Sequence, residues 1–373
     1  DENFGEDPVL AGTMSAAYIQ GLQGADEDDK YLKCVATPKH YALNSSENNR
    51  HCGSGNVDEA TLREYYTKQF QYAISEGKAE SIMTSYNRIN GVPASCNDTL
   101  LTTLLREEWG FDGFVVSDCG AVADTYVNPM FYAITNLGHF YAKNLEEASA
   151  MTLIAGTDVS CGAEHKKALK NAVEQGLISE DIIDRAAIRA LTSRFRLGLF
   201  DDADKVKYNK LTGVSTEEMH AASVDMANDT IVLLKNEDGL LPIRRDKVKS
   251  ILVVGPNAFR RQLGGYSAGQ NPIVDTPVNV MALDGIRKEA GDDMEVLFEK
   301  GWTTDEERGA KGMEDILPGF DPDELLMDIS PEMMAGFMGE KPPKRHVPED
   351  PDLNADDDML IARAVEAAKK VDM

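Results

Sequence analysis

Short apolar runs punctuate the first half of the chain, and helical periodicity fills the spaces between them. The runs are KCVAT (33–37), ESIMTSY (80–86), GFVVSD (113–118) and LIAGTDVS (153–160). Between them, 59–76 carries Leu62, Tyr65, Tyr66, Phe70 and Ala73 at helical spacing, and 100–108 and 164–175 read as helices as well. A first helix is predicted over 8–23, with Pro8 in its first turn, where the missing N–H has no helical partner to lose. Strands that alternate with helices and read as nearly continuous apolar runs are parallel and buried on both faces. The fold class predicted is α/β. Four such strands make half of an eight-stranded barrel, and the other half is expected to precede Asp1.

The pattern loosens at GLFDDADKVKYNKLTG (198–213). This divides the chain into a barrel-type region, 1–200, a polar linker, 201–215, and a second unit, 216–373. In that unit DMANDTIVLLKNEDGLLPI reads as helix, short strand and turn. SILVVGPNA (250–258) reads as a buried strand running into a Gly-Pro turn, and GGYSAG (264–269) as a loop. Residues 302–358 are acidic, rich in Met and Pro and without a steady period, which predicts a long excursion. Asp356 can cap a last helix that buries Leu360, Ile361, Ala364, Val365 and Ala368. The chain stops at KKVDM, where a further strand is expected to begin, so it reads as truncated at both ends.

Charge narrows the partners. The net charge of the 373-residue chain is −26, with Asp and Glu spread along its whole length. That argues against nucleic acid, which is bound by neutralising phosphates, and against an anionic membrane surface. No apolar run approaches the roughly 20 residues that a spanning helix needs. A neutral small-molecule substrate fits better. The five cysteines are too few for a disulfide scaffold and lack metal-ligand spacing, and they leave the compartment undetermined.

Each predicted strand ends in polar residues or a tight turn: Lys39-His40, Tyr86-Asn87, Asp118-Cys119-Gly120 and 158–162. In parallel α/β folds these ends carry the site. Asp118 is a carboxylate at the mouth of a buried strand, though from spacing alone it reads more readily as a cap of the next helix. Lys39 could lie on the rim and His40 could be a satisfied core residue. Adjacent strand residues point to opposite faces, so both reach one ligand only where the strand is ending. Arg50 could be a surface residue. Taken together, the cations, the carboxylate and Tyr86 suggest a hydroxyl-rich ligand. VVGPNA lacks the glycine spacing and the lysine of a nucleotide loop. His139, His165, His220 and His346 have no metal-ligand spacing, and no cofactor is expected.

The runs ENFGEDPVLAG, KHYALNSSENNRH, MTSYNRINGVP, LLREEWGFDGFVVSDCGAV, AGTDVSCG, RFRLGLFD, DTIVLLKNEDGLLPI and ILVVGPNA occur in that order and span almost the whole chain. The chain resembles glycoside hydrolase family 3. The resemblance implies part of a TIM-type (β/α)8 barrel followed by part of an α/β sandwich domain, and cleavage of terminal β-linked sugars with retention of configuration. It implies Asp118 as nucleophile, Lys39 and His40 gripping sugar hydroxyls, Arg50 as a further sugar-binding residue and Tyr86 beside the nucleophile. The partner implied is an oligosaccharide or glycoside; oligomeric state is left open. The general acid, a Glu in the family, is expected beyond Met373. YALNSSENN has no Gly-His-Gly loop, so the N-acetylglucosaminidase branch does not fit. SDCGA with DVSCG looks like the xylosidase side of the family, with β-glucosidase as the alternative; a non-catalytic carbohydrate-binding relative is the different class. Cys119 and Cys161 lie just past consecutive strands, close enough to form a disulfide or to remain two small thiols.

Overall fold

The computed structural model describes residues 4–24, 30–127, 138–209, 213, 216–259, 280–303 and 356–371. The chain divides into two compact units between Thr216 and Glu217, each taken by itself below.

The first unit opens with α1, Pro8–Gln23. Asp7 caps it, its carboxylate accepting the N–H groups of Val9 and Leu10 at 2.8 and 2.7 Å. Helical winding resumes over Glu59–Thr61 (α2), widens into a π-turn over Leu62–Tyr66 and continues as α3, Lys68–Ser75. At Gly12 α1 packs directly on α3: a Cβ there would lie 2.7 Å from the Tyr72 ring.

Strands β1, Ser81–Thr84, and β2, Phe114–Ser117, pair in parallel from Ser81↔Phe114 to Thr84↔Ser117. Parallel bridges extend the order on both sides, Tyr41 to Thr84 and Val116 to Val159. The four apolar runs therefore neighbour one another in chain order. Ile82, Val115, Tyr41, Phe70, Leu100 and Leu105 fill the core beneath them. Leu100 and Leu105 project from Thr99–Glu108, which is wound as a π-helix.

Two of the predicted strands are shorter than expected. Residues 33–37 form none. The Ala36 and Pro38 carbonyls accept the Ser81 and Met83 N–H groups at 3.3 and 3.1 Å, and Pro38 has no N–H to return. Residues 153–155 close a helix that the apolar pattern disguised, α5, Leu145–Ala155, which ends at left-handed Gly156. Beyond it the chain meets the sheet through the Asp158 and Val159 N–H groups, which donate to the Val115 carbonyl, and through the Val159 bridge to Val116. A short apolar run cannot by itself be told from the end of a buried helix. Helix α4, Ala121–Asp124, follows β2; α6, Glu164–Glu174, and α7, Glu180–Arg196, follow α5, and α7 was not anticipated.

In the second unit α8, Glu217–Thr230, leads to Ile231–Leu234, where a strand was expected. That stretch is irregular, with Leu234 92% exposed, and pairs with no strand among the described residues. Strand β3, Ser250–Val254, pairs in parallel with β4, Glu295–Glu299, across α9, Ala282–Ala290. Helix α10, Asp357–Ala368, is capped by Asp356 and packs on these strands. It buries Leu360 and Ala364, whereas Ile361, Val365 and Ala368 are exposed. The helix meets its sheet along one narrow row, too narrow to cover all five. The expected loop at 264–269 and residues 304–355 of the expected excursion lie outside the described residues.

Candidate active site

Asp118 follows the last residue of β2 and is 8% exposed. Its Oδ2 lies 3.0 Å from His40 Nε2. Its Oδ1 accepts the Cys119 N–H at 2.7 Å. The following helix, α4, begins at left-handed Gly120 (φ 82°) and takes no side-chain cap. Asp118 closes that turn with its backbone carbonyl, which accepts Ala121 N–H at 3.0 Å. The capping reading of the carboxylate is thus overturned, and the side chain is left to the mouth of the sheet.

Tyr86, just past β1, donates its hydroxyl to the Cys119 carbonyl at 2.9 Å and lies beside the Asp118 carboxylate. Burial, reinforced by that negative charge, pushes the phenol well above its ordinary range. Arg50 stacks on the same ring, its guanidinium carbon 4.7 Å from the centroid, with Nη1 2.7 Å from Glu47 Oε2. The structure therefore brings His40, Tyr86, Arg50 and Asp118 together. Lys39 is exposed beside His40.

Burial alone would raise the Asp118 carboxyl. The His40 contact, the Cys119 N–H and Tyr86 outweigh it and hold the group below its ordinary value. A depressed folded-state pKa contributes stability that is present above the unfolded value, about 3.9, and is lost as pH falls through the folded one. We expect the wild type to lose its stability advantage over Asp118→Asn when urea unfolding is repeated at decreasing pH below about 4. An advantage that instead grows on acidification would show that burial dominates at Asp118.

Three residues of this neighbourhood had no site role in the sequence reading. Asp124, fully buried at the end of α4, places Oδ2 2.7 Å from His51 Nδ1. The His51 ring lies 4.4 Å from that of Tyr86. His139 ties the two segments together: its Nε2 is 2.7 Å from the Tyr86 carbonyl, and its backbone N–H donates to the Asp124 carbonyl at 2.7 Å. His139 has no metal-ligand spacing, and His51 lies within KHYALNSSENNRH without a feature of its own. Only the adjacency of His51 to Arg50 was a usable signal. Cys119 and Cys161, the open pair, form a disulfide with Cα atoms 4.5 Å apart, so the residue after Asp118 is fastened to the neighbouring strand end.

The assembly can present an ionised carboxylate to an electron-poor carbon and surround it with donors suited to hydroxyls. Among the described residues no group of His, Cys, Asp and Glu is placed to hold a metal ion. Nor is any helix there long and apolar enough to cross a membrane. Two cavities, of about 330 and 760 Å³, lie elsewhere in the first unit and do not include Asp118 in their walls.

The family profile described as Glycosyl hydrolase family 3 N terminal domain matches residues 1–193, and the one described as Glycosyl hydrolase family 3 C-terminal domain matches 231–373. A xylan 1,4-beta-xylosidase of Xylanibacter ruminicola is 36% identical over 295 residues, covering 77% of this chain and 32% of its own. A probable exo-1,4-beta-xylosidase of Aspergillus terreus is 41% identical over 288 residues, covering 74% of this chain and 34% of its own. Among solved structures, an exo-beta-xylosidase bound to a xylobiose aziridine probe superposes with a TM-score of 0.66 at 33% identity, covering 80% of this chain and 38% of that one. A Listeria innocua beta-glucosidase in complex with isofagomine superposes with a TM-score of 0.65 at 28% identity, covering 82% of this chain and 41% of that one. The chain thus spans about a third of the length of these curated relatives.

Proposed function

Because the chain belongs to glycoside hydrolase family 3, we propose that it carries the nucleophile and part of the sugar grip of a retaining β-glycosidase acting on terminal β-D-xylosyl residues. The observation that carries this reading is the Asp118 carboxylate, held ionised at a strand mouth between His40, Tyr86 and the Cys119 N–H.

In the proposed reaction Asp118 attacks the anomeric carbon as the bond to the leaving oxygen breaks. That oxygen takes a proton from a general acid, and a covalent glycosyl-enzyme results. Water then cleaves the ester with inversion a second time, so configuration is retained. Lys39, His40 and Arg50 hold sugar hydroxyls, and the Tyr86 hydroxyl steadies the peptide that follows the nucleophile.

The preference for xylosides over glucosides draws support from two sources. The relatives named above with the higher identities are xylosidases, and the Cys119–Cys161 disulfide sits one residue from the nucleophile. A bulky group there crowds the C5 substituent of the sugar. A pentose has none, and rejection of a hydroxymethyl group by crowding costs about 1–3 kcal/mol, or roughly 10–200-fold. The test is an assay of the full-length protein on matched nitrophenyl β-xyloside and β-glucoside. We expect the xyloside to be favoured, and Cys119→Ala to narrow the ratio. Equal preference in both proteins would leave the disulfide without a part in selectivity and the xyloside assignment unsupported.

A further inference from the structure

Asp124 and His51 border the proposed glycosyl subsite yet take no part in the chemistry above. The Asp124 side chain is wholly buried, and its Oδ2 lies 2.7 Å from His51 Nδ1. The opposite nitrogen of the ring faces Arg50, whose Nε–H donates to His51 Nε2 at 3.3 Å. An arginine has only donors to offer, so Nε2 must present its lone pair. The ring proton then sits on Nδ1, directed at Asp124. The buried carboxylate in this way selects the tautomer that can accept from Arg50.

Arg50 is held from three directions as a result. His51 takes Nε, Glu47 takes Nη1 at 2.7 Å, and the guanidinium lies over the Tyr86 ring at 4.7 Å. Nη2 is left without a partner among the described residues, at a side chain 32% exposed. The same imidazole also packs on Tyr86, whose hydroxyl holds the carbonyl next to the nucleophile. One buried carboxylate is therefore connected, through one imidazole, to both the guanidinium and the phenol of the site.

We propose that Asp124 and His51 are positioning residues that aim the free edge of Arg50 at hydroxyls of the bound glycosyl unit. The proposal rests on the glycosidase reading of the site. Its physical content is pre-organisation: an arginine already fixed in direction loses less rotamer freedom when it binds a ligand. A contact that only stapled the 47–53 loop to α4 would not depend on which ring nitrogen carries the proton.

The test combines steady-state kinetics on an aryl β-xyloside with thermal melting. It uses the full-length protein, Asp124→Asn, Arg50→Ala and the double variant. Asn keeps the volume of Asp124 but can turn its amide N–H toward Nδ1. The ring proton then moves to Nε2 and meets the Arg50 donor head-on. We expect kcat/KM of Asp124→Asn to fall about 10–100-fold, with the larger share in KM, and the melting temperature to stay near that of the wild type. The double variant should be no worse than Arg50→Ala alone, because both changes remove one function. Losses that multiply in the double variant, or an unchanged kcat/KM in Asp124→Asn, would overturn the proposal. Should Asp124→Asn melt well below the wild type, His51→Gln is read by the same criterion, a loss that disappears on the Arg50→Ala background. A wild type that hydrolyses neither β-xylosides nor β-glucosides removes the glycosidase reading and this proposal with it; an active wild type with an indifferent Asp124→Asn removes this proposal alone.

Discussion

Replacing Asp118 with Asn is expected to lower β-glycoside turnover by about 10⁴-fold or more, the scale of losing a catalytic nucleophile. The amide has the shape of the carboxylate and can still accept the Cys119 N–H that Oδ1 takes at 2.7 Å. It lacks the negative charge that faces His40 and cannot form a stable glycosyl ester. The fold should survive, because Asp118 closes the turn into α4 with its backbone carbonyl and leaves that helix without a side-chain cap. The measurement is kcat/KM on an aryl β-xyloside, together with mass analysis after incubation with a 2-fluoro xyloside. The wild type should gain a glycosyl adduct on the peptide that contains Asp118, and the variant none. Near-parental turnover in Asp118→Asn, or an adduct on another peptide, would remove Asp118 from the role of nucleophile.

The largest loss of stability is expected at Asp158, whose side chain is 1% exposed beneath the site. Its Oδ2 meets Arg106 Nη2 at 2.8 Å and the Val115 N–H at 2.9 Å, and its Oδ1 meets Arg189 Nη1 at 2.9 Å. The cost of this burial is visible on both sides. Burial raises the Asp158 carboxyl against the pull of both arginines, and it lowers Arg106 to about 10. Asp158→Ala would leave two guanidinium groups facing each other with no anion between them, and the Val115 N–H of β2 without its acceptor. Breaking such a buried pair costs about 3–5 kcal/mol. Urea unfolding of wild type and variant at neutral pH measures the difference. A loss under about 1 kcal/mol, the scale of an exposed pair, would mean that water reaches the arginines and the network is not a buried one.

How much of the molecule was legible in its sequence depended on the range over which each signal acts. The alternation of apolar runs with helical periodicity was enough for the α/β class, and for α1, where Pro8 marks the first turn. It was enough for β1 and β2, whose residues pair with neighbours similar to themselves. The same alternation placed Asp118 at a strand mouth, and the ordered motifs from ENFGEDPVLAG to ILVVGPNA carried the family.

Signals that compare distant positions were missing. The run 153–160 looked like 80–86, but 153–155 finish a helix, because burial rewards apolar side chains in either backbone conformation. Ile231–Leu234 had the composition of a strand, yet a strand exists only with a partner to accept its hydrogen bonds. Ile361 and Val365 fitted the apolar side of α10, but the width of the surface that covers α10 is a property of β3 and β4. The candidate site divides in the same way. Tyr86 and Asp118 stand just past strand ends, which a periodic pattern can mark. Whether Cys119 met Cys161, and that Asp124 would lock His51 against Arg50 across 73 residues of chain, was decided by the packing of loops on a finished sheet. Periodicity reports the face on which a residue lies, whereas side chains become partners only once the folded backbone has brought their loops together.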